Sequence, residues 1–388
     1  MTHTIKVAQV GRSLATALLQ TQEEDRIISG GGIDPDVVEA ACLAHDIGHP
    51  PFGHLAETAL QQRLRNYTAL DSFEGNAQSF RIVTKLAVRA IDKNQPALNL
   101  TRATLRALLK YPWLKADAPV GKEDKWGAYL SERSAFKWAV DTNLGPPDKR
   151  SCEAELMDLA DDITYAVHDV EDFFRGGLIP LDRIASSDAE VATFTKSAWP
   201  RLTTKGFDQS KLEAALENLR SAFLPDEPYH GTREDRAALH LFASNLITRF
   251  VGSVALTTKG SVTLGDSERH EIALLKEFTW FYVIESPALM TLRHGQALVI
   301  RRLFTAADRW ASEAGKTGVQ NLPIELREAI RAIHEDDEAI AEYKSASTLQ
   351  RRAVADYLAS LTELQAVRLH ERAYLGSSSA VLEPWLRA

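Results

Sequence analysis

Within residues 43–57, LAHDIGHPPFGHLAE, stand three histidines, His45, His49 and His54, with the acids Asp46 and Glu57 beside them. An imidazole next to a carboxylate is a borderline-hard donor pair suited to Mn²⁺, Fe²⁺, Zn²⁺, Ni²⁺ or Mg²⁺. Neighbours on a helix point about 100° apart, yet two adjacent side chains can converge on an ion lying off the helix edge. A His-Asp pair is also common, and a helix end running into a turn accounts for it equally. Gly48, Pro50, Pro51 and Gly53 force the chain out of the helix directly after the pair. That presents His49, His54 and Glu57 near the helix end. Glu57 lies three residues past His54, so on a new helix both share a face. A histidine supported by a carboxylate can work as a general acid at neutral pH. The plainer alternative for His49 and His54 is a hydrogen-bonded turn.

A metal site needs further ligands, and two places offer them. One is His3, in THTIKVAQVGR; the other is LADDITYAVHDVEDF at 159–173. Asp161, Tyr165 and Asp169 are spaced four and four. On a helix each such step drifts only about 40°, so the three line one face. Asp161 could bind metal, with Tyr165 and Asp169 extending along the same groove. Charge-rich helix faces are usually just solvated, but a tyrosine opposite a strong apolar stripe weakens that reading.

The elements that must carry these residues read as helices. In 5–20, Ile5, Ala8, Leu14 and Leu18 recur near helical spacing, and 34–46 opens with Asp34 as N-cap and Pro35 in the first turn. The stripe Leu156, Leu159, Ala160, Ile163, Val167 and Val170 makes 153–174 the clearest helix. Further helices are expected over 76–94, 101–110, 211–223, 235–250, 268–283, 288–313, 324–342 and 350–371. Residues 252–263 form a hairpin or an exposed loop. The stretch 113–152 is polar and reads as a surface insertion, while 178–235 reads as short helices and loops. The expected fold is all-α with at most a small β-hairpin.

Composition sets the outer bounds. The chain has 388 residues, 45% apolar and 25% charged, as in an ordinary globular protein. A formal net charge of −8 gives no bulk footprint for nucleic acid. Cys42 and Cys152 form no C-x-x-C or regular framework, which suits reduced thiols in a cytoplasmic protein. No apolar run is long enough to span a membrane, and the first twenty residues lack the core and cleavage site of a signal peptide.

The pattern H…HD…D resembles the HD superfamily of metal-dependent phosphohydrolases. THTIKVAQVGRSLA, AHDIGHPPFGHLAE, FEGNAQSFRIV, LNLTRATLRALLKYPW and LADDITYAVHDVED are similar, in order, to motifs of the deoxyguanosinetriphosphate triphosphohydrolase-like proteins. RRAVADYLASLTE at 351–363 resembles that family's C-terminal motif near the nucleotide, and FTWFYVIESPAL and LRHGQALVIRRLF are also similar. Residues 178–265 resemble it least. The resemblance implies an HD core over 1–178, a variable region over 179–265 and completing helices over 266–388, together one continuous compact unit. It implies one divalent metal per active site, held by His3, His45, Asp46 and Asp161, with Mg²⁺ also accompanying the nucleotide. It makes His54 the catalytic histidine, Glu57 its acidic partner and His49 a contact to the α-phosphate region. Tyr165 and Asp169 would line the substrate site. Asn76, Gln78 and Arg81 lie in a motif near it, and Arg352, Asp356 and Tyr357 in the motif that closes around the nucleotide.

The implied reaction is hydrolysis of a dNTP to deoxynucleoside and inorganic triphosphate. dNTPs would also be candidate allosteric activators, and a homo-oligomer from dimer to hexamer is the expected assembly. The family carries some tens of residues before its first ligand histidine, including an arginine-rich stretch, whereas only Met1 and Thr2 precede His3 here. The resemblance therefore points to a late or truncated start, with the residues that read the 3′-hydroxyl missing. A phosphohydrolase for another nucleotide and a non-catalytic dNTP sensor remain the competing readings.

Overall fold

The computed structural model describes residues 2–67, 70–89, 97–141, 149–317 and 321–376. Helices dominate it. Among the described residues the only paired strands are Ala255–Leu256 and Val262–Thr263, antiparallel, with Ala255 opposite Thr263 and Leu256 opposite Val262. The all-α expectation holds, and 252–263 contains the hairpin. No described helix is long and apolar enough to cross a membrane.

The chain forms two compact units, each built from two separate stretches: Met1–Leu43 with Ser151–Thr291, and Ala44–Arg150 with Leu292–Ala388. In the first unit, helix Thr2–Thr21 buries Val7, Gly11, Leu14 and Leu18 along one stripe and packs against helix Cys152–Thr164. Gly11 permits a close approach, since a Cβ there would lie 2.5 Å from Cys42 Sγ and 3.1 Å from Val38 Cγ1. Both of those residues belong to helix Pro35–Ala44. Pro35 opens that helix, and the Asp34 carboxylate accepts the Asp36 N–H at 2.9 Å, as a cap should.

In the second unit, one apolar cluster joins Leu60, Leu64 and Phe73 to Ile300, Leu303, Phe304, Leu326, Ala353 and Leu358. Its helices include His54–Leu64, Gly75–Arg81, Arg102–Ala107, Ile324–His334, Asp337–Tyr343, Ala346–Ala359, Glu363–His370 and the later part of Pro287–Thr317.

Several expected boundaries move. The helix expected over 76–94 runs from Gly75 to Arg81 and continues as a π-turn only to Leu86; residues 90–94 lie outside the described ones. The single helix expected over 324–342 breaks at Glu335 and restarts under Asp336, whose carboxylate accepts the Ala339 N–H at 3.1 Å. The 350–371 helix likewise breaks after Ala359 and restarts under a capping box at Thr362 and Gln365. Residues 178–235 are more regular than expected, with long helices Asp188–Thr204 and Gln209–Ala222 capped by Ser187 and Asp208. The largest correction is to 113–152. Trp126 and Tyr129 are fully buried in a cluster with Ala77, and Glu132 is fully buried as a counter-charge to the interior guanidinium of Arg81 at 2.5 Å. Residues 142–148 of that stretch lie outside the described residues.

Candidate active site

Helix Pro35–Ala44 stops one residue before His45, so His45–Gly48 form a turn. In that turn both flanking imidazoles face one carboxylate. His45 Nε2 lies 3.3 Å from Asp46 Oδ2, and His49 Nδ1 lies 3.1 Å from Asp46 Oδ1. Burial would push the Asp46 carboxyl up, but the hydrogen bonds and charges of the two histidines outweigh it and hold it far below the usual carboxylate range. His49 is raised in turn: burial opposes its charge, and Asp46, Glu57 and Glu74 prevail.

The turn is seated on helix Gly75–Arg81. A Cβ on Gly48 would lie 2.1 Å from Ser79 N and 2.4 Å from Gly75 O, so no other residue fits without backbone movement. Gly48 N–H donates to Ser79 Oγ at 3.0 Å, and Ser79 Oγ donates to the His45 carbonyl at 2.9 Å. Ser79 was not singled out from the sequence; its place in FEGNAQSFRIV was the available signal. The chain then turns sharply, with Phe52 at φ 71° and Gly53 at φ 61°.

His54 opens helix His54–Leu64. Its side chain is 79% exposed, while that of Glu57, one turn on, is 6% exposed. His54 Nδ1 and Glu57 Oε2 are 2.8 Å apart, the shared face expected from the spacing. The His49 and His54 rings meet edge to face at 4.8 Å, and His49 Nε2 lies 3.9 Å from Glu57 Oε2. One donor atom each from His49, His54 and Glu57 falls within 4.8 Å of the others, a spacing that could also hold an ion. On the far side of Glu57, Lys125 Nζ donates to Glu57 Oε1 at 2.7 Å and to Glu74 Oε1 at 3.2 Å. Burial would raise Glu57; the hydrogen bond with His54 and the charge of Lys125 bring it down to about 2. Lys125 and Glu74 escaped the sequence reading because a lysine in a polar stretch gives no sign of an interior partner.

Asn76, Gln78, Arg81, Arg352, Asp356 and Tyr357 all belong to the second unit, and most meet in its interior. Asn76 Nδ2 donates to Glu74 Oε1 at 2.8 Å. Gln78 Nε2 donates to Asp356 Oδ1 at 2.9 Å, and Arg81 reaches Asp356 Oδ2 through Nε at 3.0 Å and Nη2 at 2.9 Å. Arg352 donates to the Ser72 carbonyl at 2.7 Å and stacks its guanidinium 3.8 Å from the centre of the Tyr129 ring. The buried Tyr357 hydroxyl has no hydrogen-bond partner among the described residues. These side chains, apart from the partly buried Asn76, are buried, so their first visible work is to lock helix Ala346–Ala359 to helix Gly75–Arg81.

In the first unit, His3 sits in the first turn of its helix, with Nε2 3.2 Å from Asp161 Oδ1. Asp161 precedes a π-turn over Tyr165–Asp169. The wider turn changes the regular four-residue drift assumed from the sequence, yet the charge of Asp161 still acts on both residues. Burial, then the charges of Asp169 and Asp161, push the Tyr165 hydroxyl up to about 12. Burial, opposed by His3 and helped by Asp172 and Asp161, pushes Asp169 up to about 6.

Comparison with known proteins identifies the family. The HD domain family matches residues 1–166 and the phosphohydrolase-associated domain family matches residues 262–372. A deoxyguanosinetriphosphate triphosphohydrolase-like protein of Streptomyces coelicolor is 36% identical over 96% of this chain and 82% of its own length. A protein of the same name from Bifidobacterium longum is 36% identical over 73% of this chain and 59% of its own. One from Corynebacterium efficiens is 33% identical over 78% of this chain and 70% of its own. The chain therefore belongs to the deoxyguanosinetriphosphate triphosphohydrolase-like family of HD-domain phosphohydrolases.

Proposed function

We propose that the protein hydrolyses a deoxynucleoside triphosphate, dGTP or dNTPs generally, to the deoxynucleoside and inorganic triphosphate. The observation that carries this reading is the His54–Glu57 pair. A buried carboxylate fixes Nδ1 of an exposed imidazole at 2.8 Å, which leaves Nε2 for a partner outside the protein. That is the disposition of a general acid awaiting a leaving oxygen. Water adds to the α-phosphorus, the bond from phosphorus to the 5′-oxygen breaks, and His54 gives its proton to that oxygen. Glu57 keeps the imidazole oriented.

His3, His45, Asp46 and Asp161 would hold a divalent metal. Two imidazoles and two carboxylates suit Mg²⁺, Mn²⁺ and the later transition ions, with the histidines neutral and the carboxylates ionised when they ligate. Such an ion, when bound, polarises a phosphate oxygen and acidifies bound water. His49, beside both Asp46 and Glu57, would meet the α-phosphate with its raised positive charge. Tyr165, protonated at neutral pH, would offer a hydroxyl to the substrate, with Asp169 next to it. Arg352, Asp356 and Tyr357 would shape the nucleotide side of the site from the interior.

The deciding experiment is detection of inorganic triphosphate with each of the four dNTPs and Mg²⁺ or Mn²⁺. His45→Ala and Asp46→Ala should each lose metal by elemental analysis. His54→Ala should keep metal and lose about 10²- to 10⁴-fold in kcat. Absence of triphosphate with every dNTP would sink the reading, and stoichiometric metal in both ligand variants would sink the metal site.

A further inference from the structure

We infer that Lys125 is a positioning residue for the proton-transfer pair: its ammonium clamps the Glu57 carboxylate against which His54 is oriented. This rests on the acid role proposed for His54. The two oxygens of Glu57 have separate duties. Oε2 faces His54 Nδ1 at 2.8 Å and His49 Nε2 at 3.9 Å. Oε1 faces Lys125 Nζ at 2.7 Å and the Gly75 N–H at 3.4 Å. The same ammonium lies 3.2 Å from Glu74 Oε1.

Glu74 is fully buried and caps helix Gly75–Arg81, accepting the Ala77 N–H at 2.9 Å and Asn76 Nδ2 at 2.8 Å. Burial and the charge of Glu57 push Glu74 up, against Lys125, while Glu57 is held low. Two buried carboxylates therefore share one cation, and the one that touches His54 keeps the negative charge. Without Lys125 they would press two negative charges together in a poorly solvated place, and a proton would settle on one of them. A protonated or displaced Glu57 no longer holds the His54 imidazole in one tautomer and rotamer.

Lys125 is not a loose surface lysine. Its carbonyl accepts the Trp113 indole N–H at 2.7 Å, and its neighbour Trp126 is fully buried. The polar stretch around it thus delivers a charge to a fixed point. The groups facing Glu57 are His54 on its own helix, His49 from the turn, Lys125, and Glu74 at the cap of the next helix. No other cation stands at Oε1 among the described residues.

The test compares Lys125→Gln, which keeps a hydrogen-bond donor and loses the charge, with Lys125→Arg, which keeps the charge. Lys122→Met on the same stretch serves as control. With the best dNTP, Lys125→Gln should lower kcat by about 10- to 100-fold while KM stays within about twofold. Lys125→Arg should restore most of the rate. A loss confined to KM would make Lys125 a substrate contact and overturn the inference, as would an unchanged kcat.

A second arm needs no turnover. Carboxyl-carbon NMR of protein labelled at glutamate, with Glu57 assigned by Glu57→Gln, should show no titration of Glu57 between about pH 8 and about pH 4 in the parent. In Lys125→Gln a step should enter that window, a rise of about two to three units. A Glu57 signal that stays ionised in Lys125→Gln overturns the inference even if the protein hydrolyses no dNTP, whereas an inactive parent alone counts against the proposed reaction.

Discussion

Asp169 is the carboxylate beside Asp161 that burial drives furthest toward neutrality, to about 6. An ordinary aspartate ionises near 3.9. The folded protein therefore holds the Asp169 proton more tightly than the unfolded chain does. Stability from this group is complete below its unfolded value and is lost as pH rises through about 6. In metal-free protein, Asp169→Asn should raise stability at about pH 8 by about 1–3 kcal/mol and change it little at about pH 4. Calorimetry at the two pH values checks this, and an equal effect at both would contradict it. Glu57 has the opposite sign: held down to about 2, it stabilises the fold above the ordinary glutamate value and loses that contribution as pH falls toward 2. The two carboxylates thus pull stability in opposite directions across the acidic range, as expected where environments push titratable groups apart. Cys42 takes no part in this, for burial, then Asp161 and Glu39, push its thiol up to about 12.

The elements are held together by close backbone approaches that periodicity does not report. The helices over 5–20, 153–174 and 288–313 were legible because their apolar residues fall on one stripe. The turn after His45 was legible because Gly48, Pro50, Pro51 and Gly53 are poor helix formers. Three kinds of feature were not legible. π-turns at Ile82–Leu86 and Tyr165–Asp169 add a residue to a turn without changing composition. The restarts under Asp336 and Thr362 depend on which capping side chain wins over a continuing apolar pattern. The burial of Trp126, Tyr129 and Glu132 depends on partners far away in sequence, Ala77 and Arg81. Gly48 shows the same limit on a smaller scale. It reads as a breaker, yet its φ is not in the left-handed region, and its requirement comes from Ser79 N at 2.1 Å from a would-be Cβ. Gly48→Ala should cost about 2–4 kcal/mol by lifting the His45–His49 turn off helix Gly75–Arg81. Urea unfolding would measure it; a loss below about 0.5 kcal/mol would show that the turn can move without harm.

At the scale of the molecule, chain order and spatial order part company, since each compact unit is assembled from two distant stretches. Within the second unit Arg81 is the clearest join, 2% exposed and paired with Glu132 at 2.5 Å and Asp356 at 2.9 Å. Arg81→Met should destabilise by about 3–5 kcal/mol, because two carboxylates are left buried without their cation. The triple variant Arg81→Met, Glu132→Leu, Asp356→Leu should recover much of that loss. Denaturant midpoints decide it, and a triple variant worse than the single one would contradict the account. The local cluster from His45 to Glu57 could be read from fifteen consecutive residues, but its supports, Ser79, Glu74 and Lys125, come from separate stretches and needed the fold. The Arg81–Asp356 pair also sets a clock on biosynthesis. Its members are 275 residues apart, and at about 5–20 residues per second a ribosome leaves the guanidinium waiting roughly 14 to 55 seconds for its second carboxylate. Through that interval the helix on which Gly48 is seated carries a charge it cannot bury, so a nascent chain holds every residue of the His45–Glu57 stretch well before it has the platform that orients them.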